Sequence, residues 1–116
     1  MARYTSLFKI AAHAESVQPA VATILESCNM RVIHEDSDYL VAREVPGQVS
    51  FPKLVTVEVL IDKPRETPNN KLSLSCVIKN EELPLQSDNH CRRVFELVND
   101  ALISSSSWQL LEHITS

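Results

Sequence analysis

Four histidines and three cysteines are the side chains here most able to hold a metal or make a nucleophile: His13, His34, His90 and His113, with Cys28, Cys76 and Cys91. Only His90 and Cys91 are adjacent. Successive helix positions point about 100° apart, so these two cannot easily chelate one ion. No C-x-x-C, H-x-x-H or H-E-x-x-H spacing occurs. All three cysteines fall on apolar positions of their segments, where burial raises a thiol's pKa and makes it inert. No G-x-S-x-G turn is present, and Ser104–Ser107 reads as a flexible spacer. Carboxylates gather at Glu35, Asp36 and Asp38, on a hairpin tip, and at Glu81 and Glu82, ahead of a helix. Both groups look solvated, and neither has the oxygen spacing and glycine of a calcium loop, so general acid–base work is not expected of them. Gly47, the single glycine, cannot build a phosphate cradle. The reading leans away from an enzyme: no catalytic residue, no cofactor and no metal ligand is assigned.

Charge and composition narrow the partners. Lys plus Arg is 11 and Asp plus Glu is 15, a net charge of −4. Nucleic-acid binding depends on Lys and Arg neutralising phosphates. Here Arg92–Arg93 is the one adjacent basic pair and aromatics are 5%, too few for a stacking platform. The longest apolar run, Leu54–Ile61, is broken by Thr56 and Glu58 and is far short of the ~20 residues that span a bilayer. Met1–Ala12 lacks the apolar core and cleavage site of a signal peptide. An odd number of cysteines without close spacing fits reduced thiols in the cytoplasm. With 116 residues and 44% hydrophobic content, the expectation is one soluble globular domain over residues 1–116.

The elements follow from periodicity. Tyr4–Ala11 alternates as a strand. Ser16 is the expected N-cap of a first helix, with Pro19 in its first turn. Val17, Ala20, Val21, Ile24, Leu25 and Cys28 recur every three to four residues and make its apolar face. Asn29 can close it, because asparagine tolerates the left-handed conformation. Arg31–Glu44 reads as a hairpin turning at Glu35–Asp38. Leu54–Asp62 and Leu72–Ile78 make a second hairpin with a long polar loop over Lys63–Asn70. Ser87, Asp88 and Asn89 are cap candidates for a second helix, whose stripe is Cys91, Val94, Phe95, Val98 and Leu102. After a core of residues 1–103, Trp108–Ile114 fits either a short helix or a strand, with a lean to helix. The order is β-α-β-β-β-β-α plus a short tail: an α+β domain with an antiparallel meander packed on two amphipathic helices. Val32, Val41, Val55, Val57, Val59, Leu72, Leu74, Cys76 and Ile78 are the expected sheet-side core.

A sheet covered on one side should be polar on the other. The reverse face here is expected to carry Arg31, Glu35, Glu44, Thr56, Glu58, Ser73, Ser75 and Lys79. It also carries Ile33, Leu40, Ala42, Leu54, Leu60 and Val77, which is too apolar for a fully wet surface. Either the tail around Trp108 folds across it, or twist buries its ends, or another protein or a second copy covers it. The functional expectation is a protein-interaction module. Its contacts would be Ile33, Leu40, Leu54, Leu60 and Val77, with Trp108 as an anchor. The alternative is a small-ligand binding protein, or an enzyme, using a cavity between sheet and helices.

The element order over residues 4–103 is similar to that of the helix-grip and TATA-binding-protein-like folds. It also resembles the YbjN and type III secretion chaperone group, a likeness that implies a sheet used for protein contacts. The run Lys79-Asn-Glu-Glu-Leu-Pro-Leu-Gln-Ser-Asp-Asn-His-Cys91 resembles small proteins of cyanobacteria. Neither likeness transfers a catalytic residue.

Overall fold

The computed structural model describes residues 1–64, 70–83 and 89–115. Its elements are β1 (Ala2–Ala11), α1 (Ala14–Ser27), β2 (Met30–Glu35), β3 (Tyr39–Glu44), β4 (Thr56–Asp62), β5 (Lys71–Asn80), α2 (His90–Ile103) and β6 (Gln109–Thr115), with a 3-10 turn at Phe51–Lys53. The strands form one antiparallel sheet in the order β2-β3-β4-β5-β1-β6. The α+β class and the order β-α-β-β-β-β-α are those expected from periodicity. The core lies between one sheet face and the two helix stripes. Phe8, Ile10, Leu40, Val57, Val59, Leu74 and Ile78 meet Val17, Val21, Leu25, Val98 and Leu102 there, all fully buried.

Local rules account for most boundaries. The first helix ends at Cys28, and Asn29 turns the chain with φ 64°. It begins at Ala14, two residues before the expected cap. His13 is the N-cap residue, and the Ser16 hydroxyl donates to the His13 carbonyl at 2.9 Å. Pro19 therefore sits in the second turn, where its ring removes one intrahelical hydrogen bond. At α2, Asn89 is the cap: its side-chain oxygen accepts from the Arg92 N–H at 2.7 Å. The other two cap candidates, Ser87 and Asp88, lie outside the described residues, as does most of the loop between β4 and β5.

Strands β4 and β5 face as expected, with Val55, Val57, Val59, Leu72, Leu74, Cys76 and Ile78 all buried toward the helices. Val32 is partly buried on the same side. On β3 the expectation is reversed. Leu40 and Ala42 are fully buried, and Val41 is on the other face. Tyr39-Leu40-Val41-Ala42 is apolar in both phases, so alternation alone cannot choose. Pairing chooses: Leu40 lies opposite Val59 and Ala42 opposite Val57, and directly opposed residues share a face. Glu44 is in phase with them and is buried too, at 4% exposure.

The tail is the second correction. Gln109–Thr115 is a strand that pairs with β1 and not a helix. Trp108 is fastened beneath the end of α2, where its indole N–H donates to the Leu102 carbonyl at 3.1 Å. The chain then leaves beside the open edge of β1. A seven-residue helix would have to meet its nucleation cost alone, whereas that edge offers unpaired N–H and C=O groups. His113 stacks on Phe8 with ring centroids 4.5 Å apart, holding the new edge strand to the helix side.

Candidate functional site

Because β6 widens the sheet, the tail does not fold across the reverse face. Opposed residues define rows running across that face. One is Val41, Glu58, Val77 and Thr5; the next is Tyr39, Leu60, Ser75, Leu7 and Ile114. Leu60 is 50% exposed and Ile114 47%. Ile33, at 55%, occupies a break in the β2–β3 register beside them. A groove of about 320 Å³ runs along Thr5, Leu7, Ser75, Val77 and Ile114. A cleft of about 310 Å³ opens at one end, between Arg43, Phe51, Pro52, Leu54, Thr56 and Glu81.

Of the six residues expected to make contacts, Ile33, Leu60 and Val77 are on this face, and Leu54 lines the cleft at its margin. Leu40 and Trp108 are not available: one is fully buried and the other is 9% exposed behind α2. Leu7, Val41 and Ile114 were missed. Alternation with Phe8 already places Leu7 here. Ile114 needed the tail to be read as a strand.

A partly buried polar cluster ties α2 to the junction of β3 and β4. The Glu44 carboxylate accepts from the Val55 N–H at 3.1 Å, and its two oxygens lie 2.8 and 2.9 Å from His90 Nε2. Glu82 accepts from the N–H groups of His90 at 3.1 Å and Cys91 at 2.8 Å. With Asn89 it satisfies three N–H groups at the start of α2, which that helix cannot pair internally. The Asn80 amide donates to both Glu82 and the Lys53 carbonyl. Sequence reasoning placed Glu44 on the reverse face and Glu82 in solvent. Glu44 is buried instead, and Glu82 is partly buried where it caps the start of α2. Every oxygen of the two carboxylates has a partner, so the cluster works as a staple and not as an open acid–base pair.

Glu82's pKa is lowered. Burial by itself would raise it, but the Asn80 amide, the Cys91 and His90 N–H groups and the nearby His90 together outweigh that. A group depressed in the folded state stabilises the protein above its unfolded pKa, and that stabilisation is lost as pH falls through the folded value. The expected result is stability that declines below the ordinary glutamate range, more steeply in the natural protein than in Glu82→Gln. Urea midpoints measured from pH 7 downward would show it; parallel curves would contradict it.

The thiols match the apolar positions read from their spacing. Burial pushes Cys76 up to about 12. Cys91 rises to about 12 through burial and the charges of Glu82 and Glu44. Cys28 is raised as well, chiefly by burial. Among the described residues no group of three or more His, Cys, Asp or Glu side chains is placed to hold a metal ion. No helix among them is long and apolar enough to cross a membrane. Set against known families and curated proteins, the chain matches no family model and no curated sequence.

Proposed function

We propose that this protein is a non-enzymatic interaction module of the cytoplasm that binds another protein through the open face of its sheet. The observation that carries the reading is the apolar centre of that face: Leu60, Ile114 and Ile33 are about half exposed or more, with Val41, Val77 and Leu7 between them. Burying apolar surface yields about 25 cal/mol per Å², and contiguous apolar patches on otherwise polar surfaces commonly mark association sites. Three free, buried cysteines suit a reducing compartment.

Leu60→Glu tests it. The side chain already meets water on the face away from the core, so the variant is expected to fold and to lose association by about tenfold or more. Mass in solution and co-purification of partners from the native cell, compared between the two forms, supply the readout. Unchanged mass together with unchanged partner capture would sink the reading.

A further inference from the structure

The charges of the strands are sorted by face. Every cation on the described strands points to the open side: Arg3, Lys9, Arg31, Arg43, Lys71 and Lys79. Two of the strand carboxylates, Glu35 and Glu44, turn to the helix side, where they meet Gln18 and His90. The open side keeps Glu58, Asp62 and Glu112. Cations therefore outnumber carboxylates on this face, in a chain that carries 11 of the first and 15 of the second.

One end of the face holds most of this excess. Cross-strand pairing runs Arg31 to Arg43, Arg43 to Thr56, Thr56 to Lys79, and Lys79 to Arg3. Arg31, Arg43, Lys79 and Arg3 thus share one row across five strands, about 19 Å long at a strand spacing of about 4.8 Å. Arg31 is directly opposite Arg43, and Lys79 opposite Arg3, an arrangement that destabilises a sheet. Lys79 is answered by Glu58 at 3.0 Å. Arg3, Arg31 and Arg43 make no ion pair among the described residues. Glu81 lines the cleft beside Arg43 without pairing with it. The far end carries both signs: Lys9 meets Glu112 at 3.4 Å, Asp36 meets His34 at 3.0 Å, and Lys71 stands with Asp62 and Asp38.

We infer that the open face takes an acidic segment of another protein, with its carboxylates on the row of Arg3, Arg31, Arg43 and Lys79 and its apolar side chains on the two rows beside it. This rests on the docking reading above and names the chemistry of the partner. Charge complementarity carries it. Like charges held side by side without counter-charges are relieved by an occupant that brings carboxylates, which each arginine can receive on two parallel N–H donors. The neighbouring rows supply Val41 and Val77, then Leu60 and Leu7. The groove of about 320 Å³ along Thr5, Leu7, Ser75, Val77 and Ile114 starts one row from Arg3 and Lys79, so apolar side chains next to the carboxylates can enter it. Nucleic acid would offer phosphates to the same row. Tyr39, however, is the one Phe, Tyr or Trp on the open side of the described strands, too little for base stacking. A lipid surface is met by apolar side chains that stand clear of the charged ones, whereas Leu7, Val41 and Val77 are half-buried along a groove.

The test selects a display library of random peptides on the full-length protein and measures the enriched peptides by fluorescence anisotropy. They are titrated with the natural chain, with Arg3→Gln, Arg31→Gln and Arg43→Gln combined, with Leu60→Glu, and with Arg92→Gln plus Arg93→Gln on α2 as a control for lost charge. Circular dichroism checks each fold, and Arg31→Gln with Arg43→Gln serves if the triple change does not fold. The expected result is enrichment of Asp and Glu next to apolar residues. Binding should weaken at least about tenfold in the triple variant and fall with added salt, while the α2 control leaves it unchanged. Enriched peptides without carboxylates, lost in Leu60→Glu and indifferent to the arginine changes, overturn the acidic segment and leave the docking reading standing. No enrichment, or binding indifferent to both the arginines and Leu60, removes the two readings together. Oligothymidylate, or vesicles of anionic phospholipid, held more tightly than any selected peptide through the same arginines would also overturn the acidic segment, in favour of nucleic acid or a membrane.

Discussion

Leu40→Glu is expected to abolish folding, while the same change at Leu60 leaves a folded monomer. Leu40 is fully buried on the helix side of β3, opposite Val59. A carboxylate there has no donor to meet it, and an unpaired polar group in an apolar core costs several kcal/mol even after it takes up a proton. Loss of the leucine packing adds about 2–5 kcal/mol. Domains of this kind hold only about 5–15 kcal/mol in total. Leu60 is half exposed on the other face, where substitutions usually stay within about 0.5 kcal/mol. Soluble yield, circular dichroism and urea unfolding of the two proteins would check it. A Leu40→Glu protein with near-natural stability would mean that the faces of β3 are the other way round.

His90→Ala is expected to cost about 2 kcal/mol of stability without changing the fold, since hydrogen bonds to a carboxylate contribute about 1.5–3 kcal/mol. The figure is below the top of that range because the His90 side chain is 14% exposed and Glu44 keeps the Val55 N–H. The effect should be non-additive. Once Glu44 has been changed to Gln, losing His90 should cost clearly less, since the buried charge has already gone. Four urea titrations, covering the natural chain, each single change and the double, give the coupling. A coupling near zero would reduce the pair to packing alone. The same experiment separates a staple from a catalytic dyad, because a staple's loss is read in unfolding free energy and needs no substrate.

What can be read in one dimension depends on contrast along the chain. Thr56-Val57-Glu58-Val59 changes polarity at every step, so its faces were assigned correctly. The stripes of α1 and α2, the role of Asn29 and the buried cysteines were equally plain. Tyr39-Leu40-Val41-Ala42 has no such contrast. Its phase was decided by which residues of β4 lay opposite, and this moved Leu40 from the proposed contact set into the core. Trp108–Ile114 carries two weak patterns at once, and the free edge of β1 selected the strand.

The amino-acid order therefore determined the elements as far as Ile103, the class of the fold and the presence of more apolar residues than one buried face requires. Tertiary structure alone decided that the tail extends the sheet, that Glu44 meets His90 from 46 residues away, and that Arg3, Arg31, Arg43 and Lys79, far apart in the chain, share one row across the sheet. The physical reason is range. Helix and strand patterns express contacts between near neighbours, whereas a buried histidine–carboxylate contact or a charged row exists only after strands have chosen their partners and register.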